Sequence, residues 1–203
     1  MKIIEDGRAP NPRRVRIFLA EKGIEIEYEQ IDITELQHKE PAFTGLNPLQ
    51  RVPVLQLDNG GVLSESMAIC RYFEELQPEP VLMGIGPEGI ARTEMWQRRM
   101  ELNLLSPVAQ TFRHLHPAMK ELEKPQVQEW GEANRPLVLT MLALLNKELA
   151  TRPFIAGNEY SVADITALVA VDFMKPARIE RPPELTDLAR WHEEVSARSS
   201  SSA

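Results

Sequence analysis

A chain of 203 residues, 43% hydrophobic and 26% charged, is long enough for one large or two small globular domains with a proper core. A net charge of −7 with only 23 lysines and arginines argues against a nucleic-acid surface, which needs a basic stripe. One cysteine excludes an intramolecular disulfide framework, and no apolar run reaches signal-peptide or membrane-span length, so a cytoplasmic protein with no membrane partner is expected.

Ile3-Ile4 suits a first short strand. Asn11 followed by Pro12 reads as a helix N-cap with proline at the first helical position, and Val15, Phe18 and Leu19 keep helical spacing until Gly23 stops the helix. From Ile24 to Ile31 apolar and polar residues alternate, which predicts a second strand. Strand, helix, strand implies a parallel pair with a right-handed crossover. A less regular connector over 34–45 leads into Asn47–Ser66. There, Val52-Pro53 precedes a strand Val54–Leu57, Asp58-Asn59-Gly60-Gly61 reverses the chain into a short strand at Val62-Leu63, and Ser64-Glu65-Ser66 opens a helix to about Leu76. The segment 1–77 thus reads β-α-β, connector, β-β-α.

Gln77-Pro78-Glu79-Pro80, with Gly84, Gly86 and Pro87, changes the composition and marks a linker over 78–88. Beyond it the apolar residues repeat at helical spacing in Met95–Leu115, Trp130–Leu149, Ser161–Phe173 and Leu185–Val195, so 89–198 is expected to be an all-helical domain. Ser161 and Asp164 form a capping-box start, with Tyr160 and Ile165 placed for a hydrophobic staple. The serine-rich tail 199–203 reads as disordered.

The stretch Asn47–Ser66 carries the first functional signal. A proline at the mouth of a strand leaves a backbone edge able to pair with an extended peptide, and the helix start that follows offers free N–H groups and a dipole to a carboxylate. Together they outline a site for a small acidic peptide.

A β-α-β/β-β-α domain followed by a helical one, with NPLQRVPVL, LSESMAICRYFEE and FIAGNEYSVADI in this order, resembles the cytosolic glutathione transferases, of a theta-like or yeast-like bacterial type, over the chain to about Arg198. The resemblance implies a thioredoxin-like α/β N-terminal domain plus an all-α C-terminal domain, a homodimer, and glutathione as co-substrate with no metal. Thiolate attack on a small hydrophobic electrophile is the chemistry it implies. By the same resemblance Val52 pairs its main chain with the cysteinyl unit, Pro53 is cis, Glu65 takes the γ-glutamyl ammonium and Ser66 its carboxylate. Arg51 and His38 stand near the glycyl carboxylate. Peroxidase, dehalogenase and isomerase variants share these features, as does a non-catalytic glutathione-binding or protein-interaction module.

One position departs from the pattern. Serine-type members place the residue that hydrogen-bonds the glutathione sulfur six positions before a valine like Val15, and that position here is Ala9. Three substitutes are open: the Asn11 amide, the backbone N–H groups and dipole of the helix at Pro12, with Arg13 and Arg14 as donors, and a second-domain water. Asn103, Ser106, Gln110 and His114 recur at steps of three, four and four along one helix face, and a yeast-like class of the family uses a water held by a histidine and a serine, which Ser106 and His114 resemble. Asn11 also reads as a plain cap and the second-domain face as solvated. Cys70 reads as a core thiol, His114 and His116 point to different sides and form no metal pair, and Met95, Trp96 and Met100 read as core or dimer-contact residues.

Overall fold

A computed structural model describes residues 1–203, which divide into two compact units, one formed mainly by Met1–Val81 and the other by Leu82–Ser201. In the first unit β1 (Lys2–Glu5), α1 (Pro10–Glu21), β2 (Glu27–Gln30), α2 (Pro41–Leu46), β3 (Val54–Gln56), β4 (Val62–Ser64) and α3 (Ser66–Leu76) follow in order. The sheet runs β2-β1-β3-β4, with β1 and β2 parallel and the other pairs antiparallel. Successive side chains of a strand face opposite sides, and both sides here are apolar. Ile3 and Leu55, paired across β1 and β3, are fully buried, as are Val15, Phe18 and Leu19 of α1 and Ile69 of α3. On the opposite face Ile4 and Val54, also paired, pack with Phe43 of α2.

β2 is shorter than the alternation from Ile24 to Ile31 predicts, because the residues before it serve α1. Gly23 (φ +63) donates to the Ala20 carbonyl at 3.1 Å and Ile24 to that of Leu19 at 2.9 Å, which caps the helix and removes Ile24 from the ladder. The Lys22 side chain, 0% exposed, donates from Nζ to the carbonyls of Gln77, Pro78 and Pro80 at 2.7–3.0 Å and pairs with Glu74 at 2.5 Å. That clamp ties the end of α1 to the chain leaving α3.

The second unit is helical: α4 (Gly86–Met100), a π turn (Glu101–Leu105), α5 (Ser106–Leu115), α6 (Gln128–Leu149), α7 (Val162–Phe173) and α8 (Thr186–Ser196). Gly86 and Pro87, expected in the linker, form the first turn of α4. Every residue from Val162 to Ala170 of α7 is buried, the pattern of a helix surrounded by others. Its start is the expected capping box, and Asp164, 0% exposed, also accepts from the Ile155 N–H and the Trp191 indole, each at 2.9 Å. The tail is not irregular: Ser199–Ser202 forms a 3-10 turn with Ser200 buried, held by the Ser201 hydroxyl on the Ser196 carbonyl at 2.7 Å. No helix is long and apolar enough to cross a membrane.

Candidate functional site

Asn47, buried, sets the loop ahead of β3: its Nδ2 donates to the Arg51 carbonyl at 2.8 Å, and its Oδ1 accepts from the Leu49 N–H at 3.1 Å. Gln50 follows with φ 53, and the Val52–Pro53 bond is cis. Val52 joins no backbone hydrogen bond within the chain, so its N–H and C=O form a free edge. The β3–β4 register pairs Val54 with Ser64, which sets Val52 and Pro53 beside Glu65 and Ser66. An extended peptide lying on that edge would therefore run toward the start of α3.

Glu65 precedes α3 with φ 68 and ψ 114, a conformation an L side chain rarely adopts and that clusters at binding sites. Its side chain is exposed. The first helical bond joins the Ile69 N–H to the Glu65 carbonyl at 3.0 Å, so the N–H groups of Ser66, Met67 and Ala68 have no carbonyl four residues back within the helix. They and the dipole suit a carboxylate.

The start of α1 differs from its expected form. Ala9, not Asn11, is the N-cap (φ −83, ψ 143), and Pro10 is the first helical residue. The Arg13 N–H already bonds the Ala9 carbonyl at 3.3 Å, and Pro10 and Pro12 have no N–H. Asn11 is therefore the one residue of this first turn with a backbone donor to offer, and Arg13 and Arg14 do not supply theirs. Asp6, 2% exposed, holds the loop that carries Ala9: its carbonyl accepts the Ala9 N–H at 3.0 Å, and its carboxylate accepts from Arg8 and from the Ile33 N–H at 3.1 Å. Burial pushes the Asp6 carboxyl up, but the bonds from Arg8 and Ile33 outweigh it and hold the group below its usual range.

Beneath both helix starts lies Arg14, 3% exposed. Its Nη2 donates to Asn11 Oδ1 at 3.0 Å and to Ser66 Oγ at 2.6 Å. Sequence reasoning offered Arg14 only as a backbone donor, yet its spacing held a signal: Arg14 stands four residues before Phe18, on the stripe that faces the core. Cys70 is fully buried, and burial pushes its thiol up to about 12 against the pull of the Arg14 charge, so it is an inert core thiol.

His38 lies in a 3-10 turn, Gln37–Lys39, at 5% exposure. Burial lowers its pKa, and the charges of Lys39 and Arg51 lower it further, so Arg51 is close enough to act on the imidazole. The two residues expected near one carboxylate are thus electrostatic neighbours.

In the second unit the expected polar face is partly committed. Gln110 Oε1 accepts from the Trp130 indole at 3.1 Å, and His114 Nδ1 accepts from the Val127 N–H at 3.0 Å, bonds that hold α6 and its lead-in against α5. Asn103 lies within the π turn, out of step with the α-helical spacing that relates it to Ser106, and its side chain is exposed. Ser106 and His114 stand at the two ends of α5, about 12 Å apart along its axis at 1.5 Å per residue. A cavity of about 540 Å³ is lined by His114, His116, Arg135 and Arg178 but not by Ser106.

A small four-stranded α/β unit with a cis-proline edge beside a helix start, followed in the chain by an all-helical unit, defines the class of two-domain thioredoxin-like proteins. Family models give the particular family: that of the glutathione S-transferase N-terminal domain matches residues 9–76, and that of the C-terminal domain residues 103–199. Glutathione S-transferase 2 of Saccharomyces cerevisiae is 34% identical, over 98% of this chain and 87% of that protein. The structure of Gtt2 from the same yeast superposes with a TM-score of 0.95 at 34% identity over 98% of each chain. A glutathione S-transferase domain-containing protein from Marinobacter aquaeolei VT8 gives 0.96 at 35% identity, covering 98% of this chain and 99% of that one. The chain belongs to the glutathione S-transferase family, with its thioredoxin-like N-terminal domain and helical C-terminal domain, and its relatives are consistent with a transferase.

Proposed function

We propose that this protein, as a cytoplasmic homodimer, binds glutathione along Val52-Pro53 and the first turn of α3 and promotes attack of its thiolate on small apolar electrophiles. The observation that carries the reading is the free Val52 main chain, set by the hairpin register beside the open N–H groups of Ser66, Met67 and Ala68. In this reading the Val52 backbone pairs with the cysteinyl unit across the cis Pro53, Ser66 and its N–H hold the γ-glutamyl carboxylate, and the exposed Glu65 carboxylate takes the ammonium. Arg51 supplies charge to the glycyl carboxylate and His38, kept neutral by burial and that same charge, supplies a hydrogen bond.

Catalysis needs the bound thiol brought down by ~2 units from a free value of about 8.5. With Ala9 in the usual hydroxyl position, Asn11 is the favoured donor, through its N–H or its side-chain amide. A water held by Ser106 and His114 is less well supported, since α5 separates the two and Val127 engages the imidazole. Ser66→Ala and Glu65→Gln should each abolish retention on immobilised glutathione, and unchanged retention would sink the site. Thiolate absorbance against pH should move for Asn11→Ala and stay for His114→Ala. The absent hydroxyl at Ala9 favours one rival, a glutathione-binding module without turnover; product formation with an aromatic halide above the glutathione background excludes it.

A further inference from the structure

We propose that Arg14 is a positioning residue that fixes the hydrogen-bonding polarity at both ends of the glutathione site at once. The inference rests on the reading above and deepens it. A guanidinium has only donors, so whatever it binds must turn an oxygen toward it. Nη2 of Arg14 engages Asn11 Oδ1 at 3.0 Å and Ser66 Oγ at 2.6 Å. With its carbonyl oxygen committed inward, the Asn11 amide presents its NH2 group away from the guanidinium. With a lone pair committed inward, the Ser66 hydroxyl is free to donate its hydrogen. Both groups become donors, which is what a thiolate at one end and a carboxylate at the other require.

Without Arg14 an Asn amide can rotate to present either face and a serine hydroxyl can accept as readily as donate. Burial of Arg14 at 3% exposure makes this orientation strong, because its bonds are not diluted by water. The two ends of the site are thereby coupled: the donor at α1 and the donor at α3 share a single nitrogen.

The test compares wild type, Asn11→Ala, Arg14→Met, the double variant and Arg14→Lys. Each is checked for fold by circular dichroism, for retention on immobilised glutathione, and for thiolate absorbance against pH in the glutathione complex. Asn11→Ala should raise the midpoint of thiol ionisation by about one pH unit, a tenfold loss of thiolate at fixed pH. Arg14→Met should raise it as much and weaken retention, and adding Asn11→Ala should then change nothing more. A merely structural Arg14 would lower the melting temperature yet leave the two effects on ionisation additive, which overturns the proposal.

If Arg14→Met does not fold, Arg14→Lys carries the test. A lysine ammonium is donor-only too, but its stem ends at the level of the guanidinium carbon, about one bond short of Nη2. The buried charge is kept while the bonds to Asn11 and Ser66 are lost, so fold should be kept and the ionisation midpoint still raised. Wild-type ionisation in the lysine variant would mean that charge alone suffices, and it overturns the proposal. The side-chain amide resonances of Asn11 need no ligand and should shift in either Arg14 variant. Unshifted resonances refute the positioning role, whereas shifted resonances in a protein that does not retain glutathione refute the ligand and leave the positioning role standing.

Discussion

At His38 the imidazole is buried among cations, and the direction of its titration follows. Burial first, and then the charges of Lys39 and Arg51, hold its folded pKa below the ordinary 6.5. A depressed folded value means that the unfolded chain takes the proton first, so this residue's stability is full above about 6.5 and is lost as the pH falls toward the folded pKa. The His38 ring resonances should titrate below 6.5 in the free protein, and Arg51→Ala should move them upward. A midpoint at or above 6.5 would place the ring in water. Other site residues differ in how far the sequence exposed them. Pro53, Glu65 and Ser66 stand at the strand mouth and helix start where turn chemistry put them. Asn47, Asp6 and the Arg14 guanidinium were not legible as site-builders, because each acts by reaching groups distant in sequence or by anchoring a loop.

Helix starts and close contacts decide most at the scale of elements. The two open starts, of α1 and α3, differ in their backbone donors because prolines occupy the first and third positions of α1 and neither position of α3. The prolines were plain in the sequence; the placement of Ala9 as cap was not, since alanine has no capping side chain and Asn11 has one. Register also moved within the long helix Gly86–Leu115, where the π turn breaks the regular spacing that had aligned Asn103 with Ser106. At Gly131 the fit between α5 and α6 can be tested directly. A Cβ there would stand 2.6 Å from Leu115 Cγ and 3.1 Å from His114 Cβ. Alanine ordinarily favours a helix by about 1 kcal/mol over glycine, but overpacking costs about 1–3 kcal/mol. Gly131→Ala should therefore destabilise the helical unit, seen as a lower melting temperature; a gain would mean the two helices separate freely.

On the scale of the whole molecule, the two units carry separate cores and can be followed separately, because the three tryptophans, Trp96, Trp130 and Trp191, all lie in the helical one. There the buried Asp164 gives a pH dependence opposite to that of His38. Burial raises its carboxyl to about 6, although the bonds from Ile155, Trp191 and Ser161 pull the other way. A raised folded pKa means that the native state takes the proton first, so Asp164 adds stability as pH falls from about 6 toward 3.8 and that stability is absent above 6. Tryptophan fluorescence in urea should show this trend in wild type and not in Asp164→Asn, which should also be less stable by roughly 1–3 kcal/mol for donors left unpaired. Equal pH profiles would remove Asp164 as the source.

By itself the sequence determined the order of elements other than α2, which lies largely in the stretch that reads as an irregular connector, the division into an α/β and a helical half, the proline at the strand mouth with the helix start beyond it, and the absence of a hydroxyl at Ala9. Those features are local, written in periodicity, proline and glycine placement and capping residues, or in a short motif whose parts lie within twenty residues of each other. Only the tertiary structure decided which donors remain beside Ala9, that Ser106 and His114 stand at opposite ends of one helix, and that Arg14 joins Asn11 to Ser66. A guanidinium has the same formula in water and in a core; its partner 52 residues away, and the loss of water around both, exist only once the chain has folded.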